Sequence, residues 1–129
     1  MIFTVFQYHV PRNIVNAINE HGFEKAGEMF DEVKIQRDVK FDGGRFWQSW
    51  MLNHYTRVAH IEANNLDEVF RVGNIGPAEQ VHLLADRFHS VSVGDVIQDH
   101  ETGSFWIVDM DGFSEIHIPE DFDAFAEVA

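Results

Sequence analysis

The stretch from Phe88 to Pro119, FHSVSVGDVIQDHETGSFWIVDMDGFSEIHIP, constrains the fold more than any other part of the chain. Val91, Val93, Val96 and Ile97 are β-branched and suit a pleated, half-buried surface. Gly94 and Asp95 lie among them. Glycine accepts positive φ and aspartate bonds its own backbone, so this pair bends the chain into a strand. The polar run Asp99-His100-Glu101-Thr102-Gly103 reads as a hairpin loop, and Phe105-Trp106-Ile107-Val108 as the return strand. A second break falls at Asp109 to Gly112; Phe113, Ile116 and Ile118 then form a third extended piece that Pro119 stops. Three short strands with tight turns make a β-meander, a unit of small barrels and curled sheets.

The rest of the chain supplies partners for that meander. Ile2 to Tyr8 is rich in β-formers and reads as a strand. Pro11 opens a helix whose Ile14, Ala17, Ile18 and His21 share one face, with Gly22 as its C-terminal cap. Ala26, Met29 and Phe30 suggest a second short helix. Val33, Ile35, Val39 and Phe41 alternate with charge as a half-buried strand does. Asp42-Gly43-Gly44 is then a hairpin turn, Phe46 to Leu52 its return strand, and Tyr55 to Ala63 a further strand. Asn65 and Glu68 form a partial capping box for a helix over 66–72, closed by Gly73 and Gly76. Pro77 opens another helical turn through Val81, Leu84 and Ala85. A chain of 129 residues is one domain of ordinary size. The expected class is α+β: a single domain with an antiparallel curled sheet, a C-terminal β-meander and a few short helices. Residues 1–54 form an αβ part, 55–118 a β-rich part and 119–129 an acidic tail.

One resemblance attaches to these residues. Ser90-Val-Ser-Val-Gly-Asp-Val-Ile97, a short turn, an aromatic-aliphatic strand and then Gly112-Phe113 with Ile116 make the pattern. It resembles small proteins of bacteriophages and conjugative plasmids, including YodL-like domains found beside antirestriction genes. The upstream runs Tyr55 to Ala63 and Asn65 to Phe70 are similar to the same group. Together these cover about half the chain, from Tyr55 to Ile118, and carry no catalytic residues. The resemblance implies a mobile-element origin and a role against host defence.

Charge is distributed unevenly. Residues 1–60 hold seven Lys or Arg and seven Asp or Glu, whereas residues 61–129 hold only Arg71 and Arg87 against fifteen carboxylates. The whole net charge of −13 therefore belongs to the second half. Phosphate contacts need Lys and Arg, so that half does not bind nucleic acid directly. It suits a basic partner or mimicry of nucleic acid, and plain solubility would produce the same balance.

No chemistry-bearing motif offers itself. The absence of cysteine excludes thiolate metal sites and suits a reducing cytoplasm. The N-terminal run, broken by Gln7 and His9, is not a signal peptide, and no apolar run is long enough to span a membrane. Eight histidines show no HExxH or HxxxH spacing; His54 and His60 would share a strand face, a weak metal cue. Trp47, Trp50 and Trp106 read as core or as interface anchors. The expectation is a non-enzymatic, cytoplasmic protein with no cofactor and no metal. It would bind and inhibit a host protein that has a basic nucleic-acid-binding groove, such as a restriction, CRISPR or nucleic-acid-processing complex. The candidate contacts are Asp99, Glu101, Asp109, Asp111 and Glu115 around the hairpins, with Glu120, Asp121, Phe122 and Asp123 in the tail. An enzyme with a scattered Asp/Glu/His site, or a phage structural protein, is the alternative.

Overall fold

The computed structural model of the chain describes residues 1–8, 12–30, 33, 44–45 and 47–119. Among them, β1 (Ile2–Tyr8), β2 (Tyr55–Glu62), β3 (Val81–Leu83), β4 (Val96–Asp99), β5 (Phe105–Asp109) and β6 (Gly112–Ile116) form one open antiparallel sheet. Its order is β3-β2-β1-β4-β5-β6. The expected α+β class with a C-terminal meander is therefore the observed one.

The first strand lies inside the sheet, and its sequence explains why. IFTVFQY is apolar on both faces and buried from Phe3 to Gln7. Phe3 and Val5 point to one face, where Val58, Ile61, Ile97 and Val108 join them in a core cluster. Phe6 points to the other, beside Leu52, Tyr55, Val96, Ile107 and Ile116. Each fully buried side chain of this size contributes roughly 1.5–3 kcal/mol. The pairing slips between Val5 and Phe6, opposite Ala59 and Arg57, so Val58 is the extra residue of a β-bulge. That bulge turns Val58 into the core, with no exposed surface.

Helix α3 (Leu66–Ile75) covers the first face. Asn65 caps it, its side-chain oxygen accepting from Glu68 N at 2.8 Å. Val69 and Val72 are its buried anchors on the sheet. The helix does not end at Gly73 as its sequence suggested. It runs through Gly73, which packs against Val91, and stops at Gly76 with φ +98°. Helices α1 (Arg12–His21) and α2 (Phe23–Met29) meet across Gly22, whose φ of 88° only glycine adopts readily. They bury Ile14, Ala26 and Val33 in a cluster of their own.

Four further expectations differ from the structure. Phe46 to Leu52 is not a return strand: residues Ser49–His54 form a 3₁₀ helix. Its Met51 and Leu52 join Trp47 on the second face of the sheet, which a turn satisfies better than an alternating strand. Pro77 does open a turn, Ala78–Gln80, but Val81 to Leu83 leaves it to pair with Ile61, His60 and Ala59 as the sheet edge. Hydrogen bonding to β2 outweighs local helical preference there. Val33, placed in a strand by its alternation, is helical and buried; the remainder of that stretch, from Lys34 to Gly43, lies outside the described residues. Val91 and Val93 precede β4 rather than belonging to it, because Asp95 N bonds Ser92 O in a turn at 3.0 Å.

Candidate functional site

The helix α3 leaves part of its sheet face open. It packs over β2 and shares a core cluster with Phe3 and Val5 of β1, while Trp106 and Phe113 on β5 and β6 stay half-buried. The gap is a groove of about 470 Å³ between the start of α3 and the meander. Met1, Phe3, Leu66, Trp106 and Phe113 form its apolar lining, and Asn64, Asn65, Asp67 and Asp99 its polar one. Glu115 lies directly opposite Trp106 in the β5–β6 register, so its side chain flanks the indole on the same face. None of these three carboxylates has an ion-pair partner among the described residues. Among the side chains that line the groove there is no Lys, Arg or His.

The candidate contacts divide into separate places. Asp99 Oδ1 accepts from Glu101 N at 2.8 Å, and Asp109 Oδ1 from Asp111 N at 3.0 Å. Asp109 also accepts the Ser114 hydroxyl. These two aspartates therefore shape the turns, leaving Glu101 and Asp111 exposed at the tips. The two turns stand at opposite ends of β5, a strand of five residues and so roughly 13 Å apart. That exceeds the Debye length of about 8 Å at physiological salt, so the turns do not act as one charged cluster. Of the sequence candidates, Asp99 lines the groove with Asp67 from the first turn of α3, and Glu115 stands beside Trp106 in the strand register while itself lining a separate cavity with Phe105 and His117. Glu120, Asp121, Phe122 and Asp123 lie outside the described residues.

Two polar clusters escaped the sequence reading. The first centres on Asp95, which is 4% exposed. Its Oδ2 accepts from Gln7 Nε2 at 3.0 Å and Ser92 N at 2.9 Å. Gln7, fully buried, also donates to His89 O at 2.7 Å and accepts from His89 N at 3.1 Å. Tyr55 completes the network by donating its hydroxyl to Gly94 O at 2.7 Å. Burial raises the Asp95 pKa from 3.8 to about 7 against the opposing hydrogen bonds of Ser92 and Gln7. The Tyr55 hydroxyl is raised too, first by burial and then by Asp95. This network fastens the segment before β4 to the end of β1.

The second cluster is histidine. His60 faces His82 across β2 and β3, and its ring meets that of His100 edge-on at 5.3 Å. His100 is bonded in turn to the Thr4 hydroxyl. Burial, and then His100, Arg57 and His82, lower the His60 pKa. His54, expected on the same strand as His60, sits in the 3₁₀ helix instead. Among the described residues, no three His, Cys, Asp or Glu side chains are placed to share a metal ion. Nor is any helix among them long and apolar enough to cross a membrane.

Comparison with protein-family models, curated proteins and solved structures finds no match to this chain.

Proposed function

We propose that the protein is a non-enzymatic binding protein that docks on a basic, nucleic-acid-handling host protein in the cytoplasm and inhibits it. The observation that carries this reading is the groove: Asp67 and Asp99 line it, Glu115 lies across from its half-buried Trp106 in the strand register, and none of the three has an ion-pair partner among the described residues. A Lys or Arg side chain laid there sets its charge among three carboxylates and its stem or guanidinium plane on the indole. Carboxylates held on a helix and two strands present fixed negative charge, as phosphates do, without a counterion atmosphere to displace. Trp106 and Phe113 add the desolvated apolar contact that charge alone lacks. Glu101 and Asp111, exposed at the turn tips, steer the approach rather than anchor it. The tail acids Glu120, Asp121 and Asp123, with Phe122, extend the same character. The resemblance of Tyr55 to Ile118 to phage and plasmid proteins supports a restriction, CRISPR or nucleic-acid-processing complex as the target.

The test is a triple variant, Asp67→Lys, Asp99→Asn and Glu115→Lys, beside Trp106→Ala. Asparagine at 99 keeps the turn bond to Glu101 N. The wild-type protein is expected to capture a basic protein from host lysate and to displace nucleic acid from it. The triple variant should lose that partner at least tenfold, mainly in association rate, and wild-type binding should weaken as salt rises. Unchanged capture by the folded triple variant at low salt would place the contact elsewhere and end this proposal.

A further inference from the structure

We propose that a pocket between α1 and the segment following β3 binds the phosphate group of a small ligand. Arg12, Val15, Asn16 and Asn19 line it from α1, and Arg87 closes it from across the fold, around a volume of about 390 Å³. The four helical residues recur at i, i+3, i+4 and i+7. They form the face opposite Ile14 and Ile18, the ones that turn inward. The sequence thus dedicates one helix face to the core and the other to two kinds of hydrogen-bond donor, guanidinium and amide.

The charge at this pocket runs against the rest of the chain. There are nine Lys and Arg against 22 Asp and Glu, and Arg87 is one of only two basic residues after position 60. Yet neither Arg12 nor Arg87 has an ion-pair partner among the described residues. Two guanidinium groups from distant parts of the chain, neither ion-paired among the described residues, line one concavity with two amides and no carboxylate, a lining that suits an anion.

The chemistry selects phosphate. A carboxylate presents two oxygens in one plane, whereas a phosphate directs three terminal oxygens out of a common plane and can meet two guanidinium forks and the Asn amides at once. The ligand is small, because a nucleic acid would bring a line of phosphates against a molecule of net charge −13. The volume exceeds what one phosphate fills and lies at the low end for small-molecule sites, so an organic body accompanies the anion. Val15 is the apolar wall available to it.

Amide NMR with inorganic phosphate, at constant ionic strength maintained with sodium chloride, tests the proposal. Saturable shifts are expected at residues 12–19 and 87 and at the side-chain amides of Asn16 and Asn19. Arg12→Ala and Arg87→Ala should each weaken binding at least tenfold while the remaining spectrum stays wild-type. Asn16→Asp, which adds a negative charge and spares both arginines, should weaken it as well. Acetate should bind at least tenfold more weakly than phosphate. Shifts scattered over the surface, saturation unchanged in the variants, or equal binding of acetate would each overturn the assignment.

Discussion

Replacing Asp95 with Asn isolates the cost of a buried negative charge. The carboxylate is 4% exposed, and burial lifts its pKa from 3.8 to about 7. Between those values the folded chain keeps the proton and the unfolded chain releases it. Folding then takes up a proton, so this group favours the folded state at low pH. Its contribution falls as pH rises from about 4 and is level above about 7. At about 1.4 kcal/mol per pH unit, the full span is about 4 kcal/mol. Asparagine can present the same oxygen to Gln7 Nε2 and Ser92 N, the two donors that Oδ2 now satisfies. It carries no charge to bury at any pH.

Urea unfolding of both proteins between pH 5.5 and 8.5 reads the effect above the isoelectric point near 4.8. The other titrating groups are common to both chains and cancel in the difference. The stability of Asp95→Asn relative to wild type should rise by about 2 kcal/mol from pH 5.5 to 7 and then stay constant. A difference that is flat across pH 5.5 to 7, or that grows toward acid, would refute the buried-charge argument. A constant offset alone would not, since swapping a carboxyl for an amide changes hydrogen bonding at every pH.

Two further outcomes follow from the packing. Gly73→Ala drives a methyl into the buried Val91, an overpacking cost of about 1–3 kcal/mol that the better helix propensity of Ala, about 1 kcal/mol, only partly offsets; thermal unfolding should show a lower Tm, and adding Val91→Ala should recover part of it. His60 should titrate below its ordinary value in an NMR pH series, and His100→Gln should move it upward by removing the neighbouring imidazole; an unmoved His60 would mean that its ring does not sense His100.

Strand identity was legible wherever one residue decided it by its own pattern. Ile2 to Tyr8 is apolar on both faces and became the inner strand β1; Phe105 to Val108, bounded by polar turns, became β5. It was illegible wherever pairing decided. Val81-His82-Leu83 has no alternation of its own and is a strand only because β2 offers it a free edge. The run Trp47 to Leu52 is as compatible with a strand as with a 3₁₀ turn, and the choice was made by the hydrophobic pocket over Phe6 and Ile107. The candidate groove shares this limit. Asp67 reads locally as a first-turn helix acid and Trp106 as core or interface anchor; only the placement of α3 over β2 sets them along one groove.

The buried network did leave a trace in the sequence. Period-two alternation places Gln7 on the same inward face as Phe3 and Val5, so a fully buried amide was implied once β1 was assigned to the interior. A buried amide has an acceptor and two donor hydrogens to satisfy. It therefore demands partners from chain distant in sequence, and the backbone of His89 and the carboxylate of Asp95 are those partners. Gln7→Leu would remove this side chain's hydrogen bonds and leave Asp95 buried with one donor, Ser92 N, of the two it has now. The penalty should therefore grow with pH, because the ionised carboxylate loses a charge-assisted bond and the protonated one only a neutral bond. Measured on the Asp95→Asn background, the same substitution should lose that pH dependence. If it persists there, the two side chains are not coupled, and the hydrogen bond between them does not fasten the segment before β4 to the end of β1.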